Sequence, residues 1–166
     1  GQGKSLALNQ VGSVANMLGI HVAYATLELG LELVAARHIA SLAGVSTSHI
    51  QASTLWAREA WRTLRETTAL GAFYMRKFDP DSTTVETVLD WRNQIERVQG
   101  VPIGLLVVDY ADRLGSGAGR AEGKADKYTL GQGVFERLRT DAEKRGTRAA
   151  TASQLRRRSA VTKSRL

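Results

Sequence analysis

Residues 103–109 read Ile103-Gly104-Leu105-Leu106-Val107-Val108-Asp109, and the fold follows from this stretch. Apolar side chains at successive positions would bury both faces of a strand. Strands of that kind occur in parallel sheets covered by helices on either side. The acid marks where the strand leaves the core. Just upstream, Gly100 and Pro102 mark the end of a preceding helix.

The same alternation runs outward in both directions. Val85, Val88, Leu89, Ile95 and Val98 recur at helical spacing before the strand. Asp79-Pro80-Asp81-Ser82 is a turn cluster. Thr83 and Glu86 fit a capping box, with Thr83 as N-cap. Ala72 to Phe78 reads as a strand. His21 to Leu27 reads as a shorter, buried one. Between them lie a helix over Glu32 to Ala43, a short turn over Ser46 to Gln51, and an amphipathic helix over Thr54 to Leu70. Near the start, Ala7, Val11, Val14 and Leu18 form one face of a helix that Gly19 stops. Downstream, Gly115 to Lys127 is a glycine-rich, charged loop. Thr129 to Arg145 is a helix with Val134, Leu138 and Ala142 on one face. Arg148 to Ser153 is a strand of small residues. Strands alternating with helices imply an α/β domain with a mostly parallel sheet flanked by helices. There is no internal repeat or linker, so residues 1–166 read as one domain.

Composition narrows the function classes. The chain is 43% apolar and 23% charged, ordinary for a folded domain. It has no cysteine, which excludes disulfides and thiolate metal sites and fits a reducing compartment. The apolar run from Val101 to Val108 is too short to span a bilayer. No signal peptide is visible. Most of the net charge of +7 lies in residues 155–166, on Arg156, Arg157, Arg158, Lys163 and Arg165. A basic tail beside a nearly neutral body suits contact with a polyanion. A solvated charge run would look the same.

Four short segments carry candidate chemistry. Gly3-Lys4-Ser5 matches the last three positions of the phosphate-loop pattern, with Gly1 and Gln2 in its final variable positions. The earlier positions would precede residue 1. Backbone N–H groups opening a helix bind phosphate oxygens. A lysine there would reach the β and γ phosphates, and a serine hydroxyl would bind Mg²⁺. An ordinary surface loop can carry the same letters. Second, a strand ending in Asp109 is the Walker B pattern, in which the carboxylate orders the Mg²⁺ shell. A core strand with a capping aspartate is the alternative. Third, Thr26-Leu27-Glu28-Leu29 puts a glutamate at a strand end, where it could activate water or cap the next helix. Fourth, Ser153-Gln154 ends the last strand, where the glutamine could sense the γ-phosphate or lie idle on the surface.

The order GQGKS, TLELG, FDPDSTTV, LLVVDYADRL, ASQLRRR resembles the motor domain of DnaB-type replicative helicases over nearly the whole chain. The resemblance implies a RecA-like phosphate-loop ATPase core. It implies ATP and Mg²⁺ as ligands, with Gly1, Gly3, Lys4, Ser5 and Leu6 binding nucleotide and Ser5 and Asp109 ordering the metal. Glu28 would be the general base and Gln154 the sensor. Arg37 falls where the family often has an arginine, with its role open. The expected activity is ATP-driven movement on single-stranded DNA and duplex unwinding. Expected partners are sister subunits in a six-membered ring, single-stranded DNA and a primase or helicase loader, with no membrane, in the cytoplasm of a bacterial or phage-infected cell. Arg120, Lys124, Lys127 and Arg156 are the candidate DNA contacts. The family's later strands and its arginine finger have no recognisable counterpart here, so the domain reads as cut at both ends. Two alternatives share these motifs: a recombinase or clock-type RecA-fold ATPase, and a non-catalytic nucleic-acid-binding relative.

Overall fold

The computed structural model of the chain describes residues 2–80, 82–114 and 127–152. Gly1, Asp81, Arg120, Lys124, Ser153, Gln154, Arg156 and the rest of the basic tail lie outside the described residues. The elements run α1 (Gln2–Met17), β1 (Val22–Thr26), α2 (Leu31–Ala43), α3 (Thr47–Ala52), α4 (Thr54–Thr67), β2 (Phe73–Lys77), α5 (Val85–Gln99), β3 (Leu105–Asp109), a 3-10 turn (Ala111–Arg113), α6 (Lys127–Arg145) and β4 (Arg148–Thr151). Lys127, expected in the loop, is the first residue of α6.

The four strands form one parallel sheet in the order β2-β1-β3-β4. β1 and β3 are buried along their full length, as their unbroken apolar runs require. One face packs Val88, Leu89 and Ile95 of α5 and Val134 and Leu138 of α6 against Ala23, Ala25, Leu106 and Val108. The other packs Leu8 of α1 and Val34 of α2 against Val22, Tyr24, Leu105 and Val107. An ion pair between the buried Arg92 and the half-buried Asp141 ties α5 to α6. Burial alone would raise the Asp141 carboxyl. The hydrogen bonds and charge of Arg92, with Arg145 beside it, bring it below the usual range.

The N-cap of α5 corrects an expectation, and the facing of α1 and α4 adds to two others. The apolar stripe on α1 exists, but it faces outward: Val11, Val14 and Leu18 are 47%, 41% and 72% exposed. The buried face is Ser5, Leu8, Asn9, Gly12, Ser13 and Asn16. Small side chains let α1 lie close to the sheet, where a Cβ on Gly12 would come within 3.1 Å of the Phe73 ring. Two buried amide N–H groups on this face find backbone partners. Asn9 Nδ2 donates to the Val34 carbonyl at 3.1 Å, and Asn16 Nδ2 to that of Gly71 at 2.6 Å. Second, the N-cap of α5 is Thr84, whose hydroxyl accepts from Thr87 N–H at 3.2 Å. Thr83 is buried one step earlier, which places Val85 in the core, and Glu86 pairs with Arg137 of α6. Third, α4 buries no residue fully. Its Trp56 and Trp61 are half-buried and Leu55 faces solvent.

His38 of α2 is 3% exposed. It stacks on Phe73 at 3.8 Å and shares a 2.9 Å hydrogen bond with Ser13. Burial holds its imidazole down to about 4, from an ordinary 6.5. The folded state therefore keeps it neutral where the unfolded chain would protonate it. Stability from this group is complete above about pH 6.5 and is lost as pH falls towards 4, to a total of roughly 3 kcal/mol. Urea titrations across that window should show a steeper fall for the wild type than for His38→Gln. Equal slopes would mean that His38 does not set the acid sensitivity.

Candidate active site

The site lies where α1 starts and β1 and β3 end. The first N–H groups of α1, at Gln2, Gly3 and Lys4, have no carbonyl within the helix to accept them. They carry the partial positive charge of the helix start. Apart from its chain neighbours and its own helix backbone, a Cβ built on Gly3 would meet no atom of the described residues within 4 Å, which leaves room beside it. Lys4 is half-buried and Leu6 is exposed on the outer side. Ser5 turns inward and is 3% exposed.

The serine meets the carboxylate that ends β3. Ser5 Oγ donates to Asp109 Oδ1 at 3.1 Å, and the Tyr110 hydroxyl lies 3.2 Å from the same serine oxygen. Tyr24 donates its phenolic hydroxyl to Asp109 Oδ2 at 3.2 Å. Asp109 is fully buried. Burial pushes its carboxyl above the ordinary range, while the hydrogen bonds from Ser5 and Tyr24 pull the other way. The charge of Glu28 adds to the rise and that of Arg37 opposes it. Burial, with Asp109 beside it, also pushes the Tyr24 phenol far above its ordinary 10, so it remains a proton donor.

Sheet register brings Glu28 to this cluster. Thr26 is paired with Asp109 across β1 and β3, and Leu27 N–H donates to the Asp109 carbonyl at 2.8 Å. Past that rung the Thr26 hydroxyl accepts from Leu29 N–H at 3.0 Å and fixes the turn that carries Glu28. Glu28 is exposed. The N-cap of α2 is Gly30, so Glu28 is not itself the N-cap residue. Arg37 sits two turns along α2. One of its terminal nitrogens is buried without a hydrogen-bond partner among the described residues.

The structure thus brings Gly3, Lys4, Ser5, Glu28 and Asp109 to one end of the sheet, and it leaves Leu6 facing away. Sequence reasoning missed Tyr24 and Thr151. The Thr151 hydroxyl donates to the Val108 carbonyl at 2.7 Å and accepts from Ala111 N–H at 3.1 Å, bracing the chain just after Asp109. A phenol inside the aliphatic run of β1 was the available signal for Tyr24, since a buried hydroxyl needs a partner.

No group of three or more His, Cys, Asp or Glu among the described residues could enclose a metal ion. The oxygens of Ser5 and Asp109 are hard donors and too few to complete a shell. That suits Mg²⁺, which keeps waters and takes phosphate oxygens alongside one or two protein ligands. Among the described residues, no helix is long and apolar enough to cross a membrane.

The family model of the DnaB-like helicase C-terminal domain matches residues 1–164, and the chain belongs to that family. Two solved structures share the fold. One is a DnaB-like replicative helicase, solved in a study of its interactions with primase, with a TM-score of 0.63 and 19% identity. The other is an ATPase domain, with a TM-score of 0.65 and 17% identity. Each match covers 92% of this chain. The chain spans 36% of the first of those proteins and 53% of the second. No curated protein matches it in sequence. The parallel sheet between helices is the RecA-like arrangement of these ATPase domains.

Proposed function

We propose that this domain binds ATP with Mg²⁺ and hydrolyses it to drive movement along single-stranded DNA and duplex unwinding in replication. The observation that carries this is the buried hydrogen bond from Ser5 to Asp109 at the start of α1, with Glu28 on the neighbouring strand end. A hydroxyl at a helix start paired with a strand-end carboxylate is the arrangement that orders a phosphate-bound cation.

The chain's own groups divide the work. N–H groups of the first turn of α1 and the Lys4 ammonium hold phosphate oxygens. Ser5 and Asp109 would hold Mg²⁺, which when bound spreads the phosphate charge. Glu28 accepts a proton from the water that attacks the γ-phosphorus. Gln154 would report the γ-phosphate to the DNA side. A cation from a neighbouring subunit, in a ring of six, completes the site. Arg120, Lys124, Lys127 and Arg156 are assigned to the DNA strand, where phosphate contacts dominate affinity. A primase or a helicase loader is the expected protein partner of the ring.

The test is ATP turnover by the full-length protein with and without single-stranded DNA. Stimulation several-fold by DNA is the expected result. DNA binding with no ATP turnover in either condition would overturn the motor assignment in favour of a non-catalytic binding protein.

A further inference from the structure

Asp109 is held from two sides, and only one of them belongs to the phosphate loop. Ser5 takes Oδ1, and the phenol of Tyr24, on the middle of β1, takes Oδ2. Tyr24 is fully buried among Leu8, Val22, Val34 and Val107, and its ring stacks with Phe73 at 6.0 Å. Packing alone does not require the hydroxyl, because phenylalanine would fill the same apolar space. Burying a hydroxyl costs free energy unless it is hydrogen-bonded. Here it reaches the one carboxylate assigned to the cation.

We propose that Tyr24 is a positioning residue for the divalent cation, its phenol fixing the Asp109 carboxylate in the orientation that Mg²⁺ and its waters meet. This rests on the assignment of Asp109 to Mg²⁺ made above. With Oδ2 held by Tyr24 and Oδ1 by Ser5, the carboxylate cannot rotate about its Cβ–Cγ bond without losing both hydrogen bonds. Outer partners of this kind typically change metal affinity or activity by about 10–100-fold when removed. Tyr24 is fully buried and reaches the site through the Asp109 carboxylate, so its effect should fall on the metal-dependent part of binding.

The experiment is a titration of Mg²⁺ against binding of a fluorescent ATP analogue by the full-length protein, with a parallel titration in EDTA. In Tyr24→Phe the half-saturating Mg²⁺ concentration should rise about 10-fold or more, with metal-free binding unchanged. Phe73→Leu is the packing control: it loosens the Tyr24 ring but keeps the hydroxyl, and should leave the Mg²⁺ requirement near wild type. An unchanged Mg²⁺ requirement in Tyr24→Phe overturns the proposal, as does an equal shift in both variants. Asp109→Asn separates the levels. If it abolishes Mg²⁺ dependence while Tyr24→Phe does nothing, the positioning role alone fails. If Asp109→Asn leaves the dependence intact, the metal assignment beneath it fails as well.

Discussion

Glu28→Gln in the full-length protein is expected to bind ATP normally and to turn it over about 10²–10⁴ times more slowly, the range attributable to a positioned general base. Glutamine keeps the shape of the side chain and removes its ability to take a proton. The side chain is exposed and the turn beneath it is held by Thr26. The substitution should therefore change stability by no more than about 0.5 kcal/mol. The measurement is steady-state turnover beside equilibrium binding of an ATP analogue. Hydrolysis at the wild-type rate would show that another group activates the water. Loss of binding together with turnover would show that Glu28 serves the nucleotide site as a whole.

Lys4→Ala should act one step earlier and weaken nucleotide binding by about 100-fold or more. An ammonium on phosphate oxygens contributes roughly 1.5–3 kcal/mol per charged hydrogen bond, and a β,γ-bridging lysine makes more than one. Lys4 follows Gly3, beside which the protein leaves space, and precedes Ser5, which reaches Asp109. Calorimetric titration with ATP would read the loss directly. Affinity equal to wild type would remove the phosphate loop from the site.

Much of this was legible in the sequence because of one physical contrast. The run from Leu105 to Val108 is apolar on both faces and ends in an acid, so it had to be a central strand whose end meets solvent or ligand. β1 followed from its own apolar run, and the acids at or just past the two strand ends then had to share one edge of the sheet. The orientation of α1 was not legible. Periodicity finds a stripe without saying whether it faces the core, and here Gly12, Ser13 and Asn16 pack closer to the sheet than Val11 or Val14 could. The cap at Thr84 was missed by one residue because Thr83 and Thr84 have equal local preference, and only tertiary burial of Val85 decides between them. Tyr24 and Thr151 act across strands, on Asp109 and Val108, and no local pattern encodes a partner 85 or 43 residues away.

The rung joining Thr26 to Asp109 has a mechanical meaning. Leu27 is tied to the Asp109 carbonyl, so the turn that carries Glu28 and the strand end that carries Asp109 are joined by a direct backbone bond. In the motor proposed above, a stroke that opened a gap there would have to break that bond. The proposed motion would instead carry both strand ends together as one body, in the way an anvil is shifted whole under the hammer.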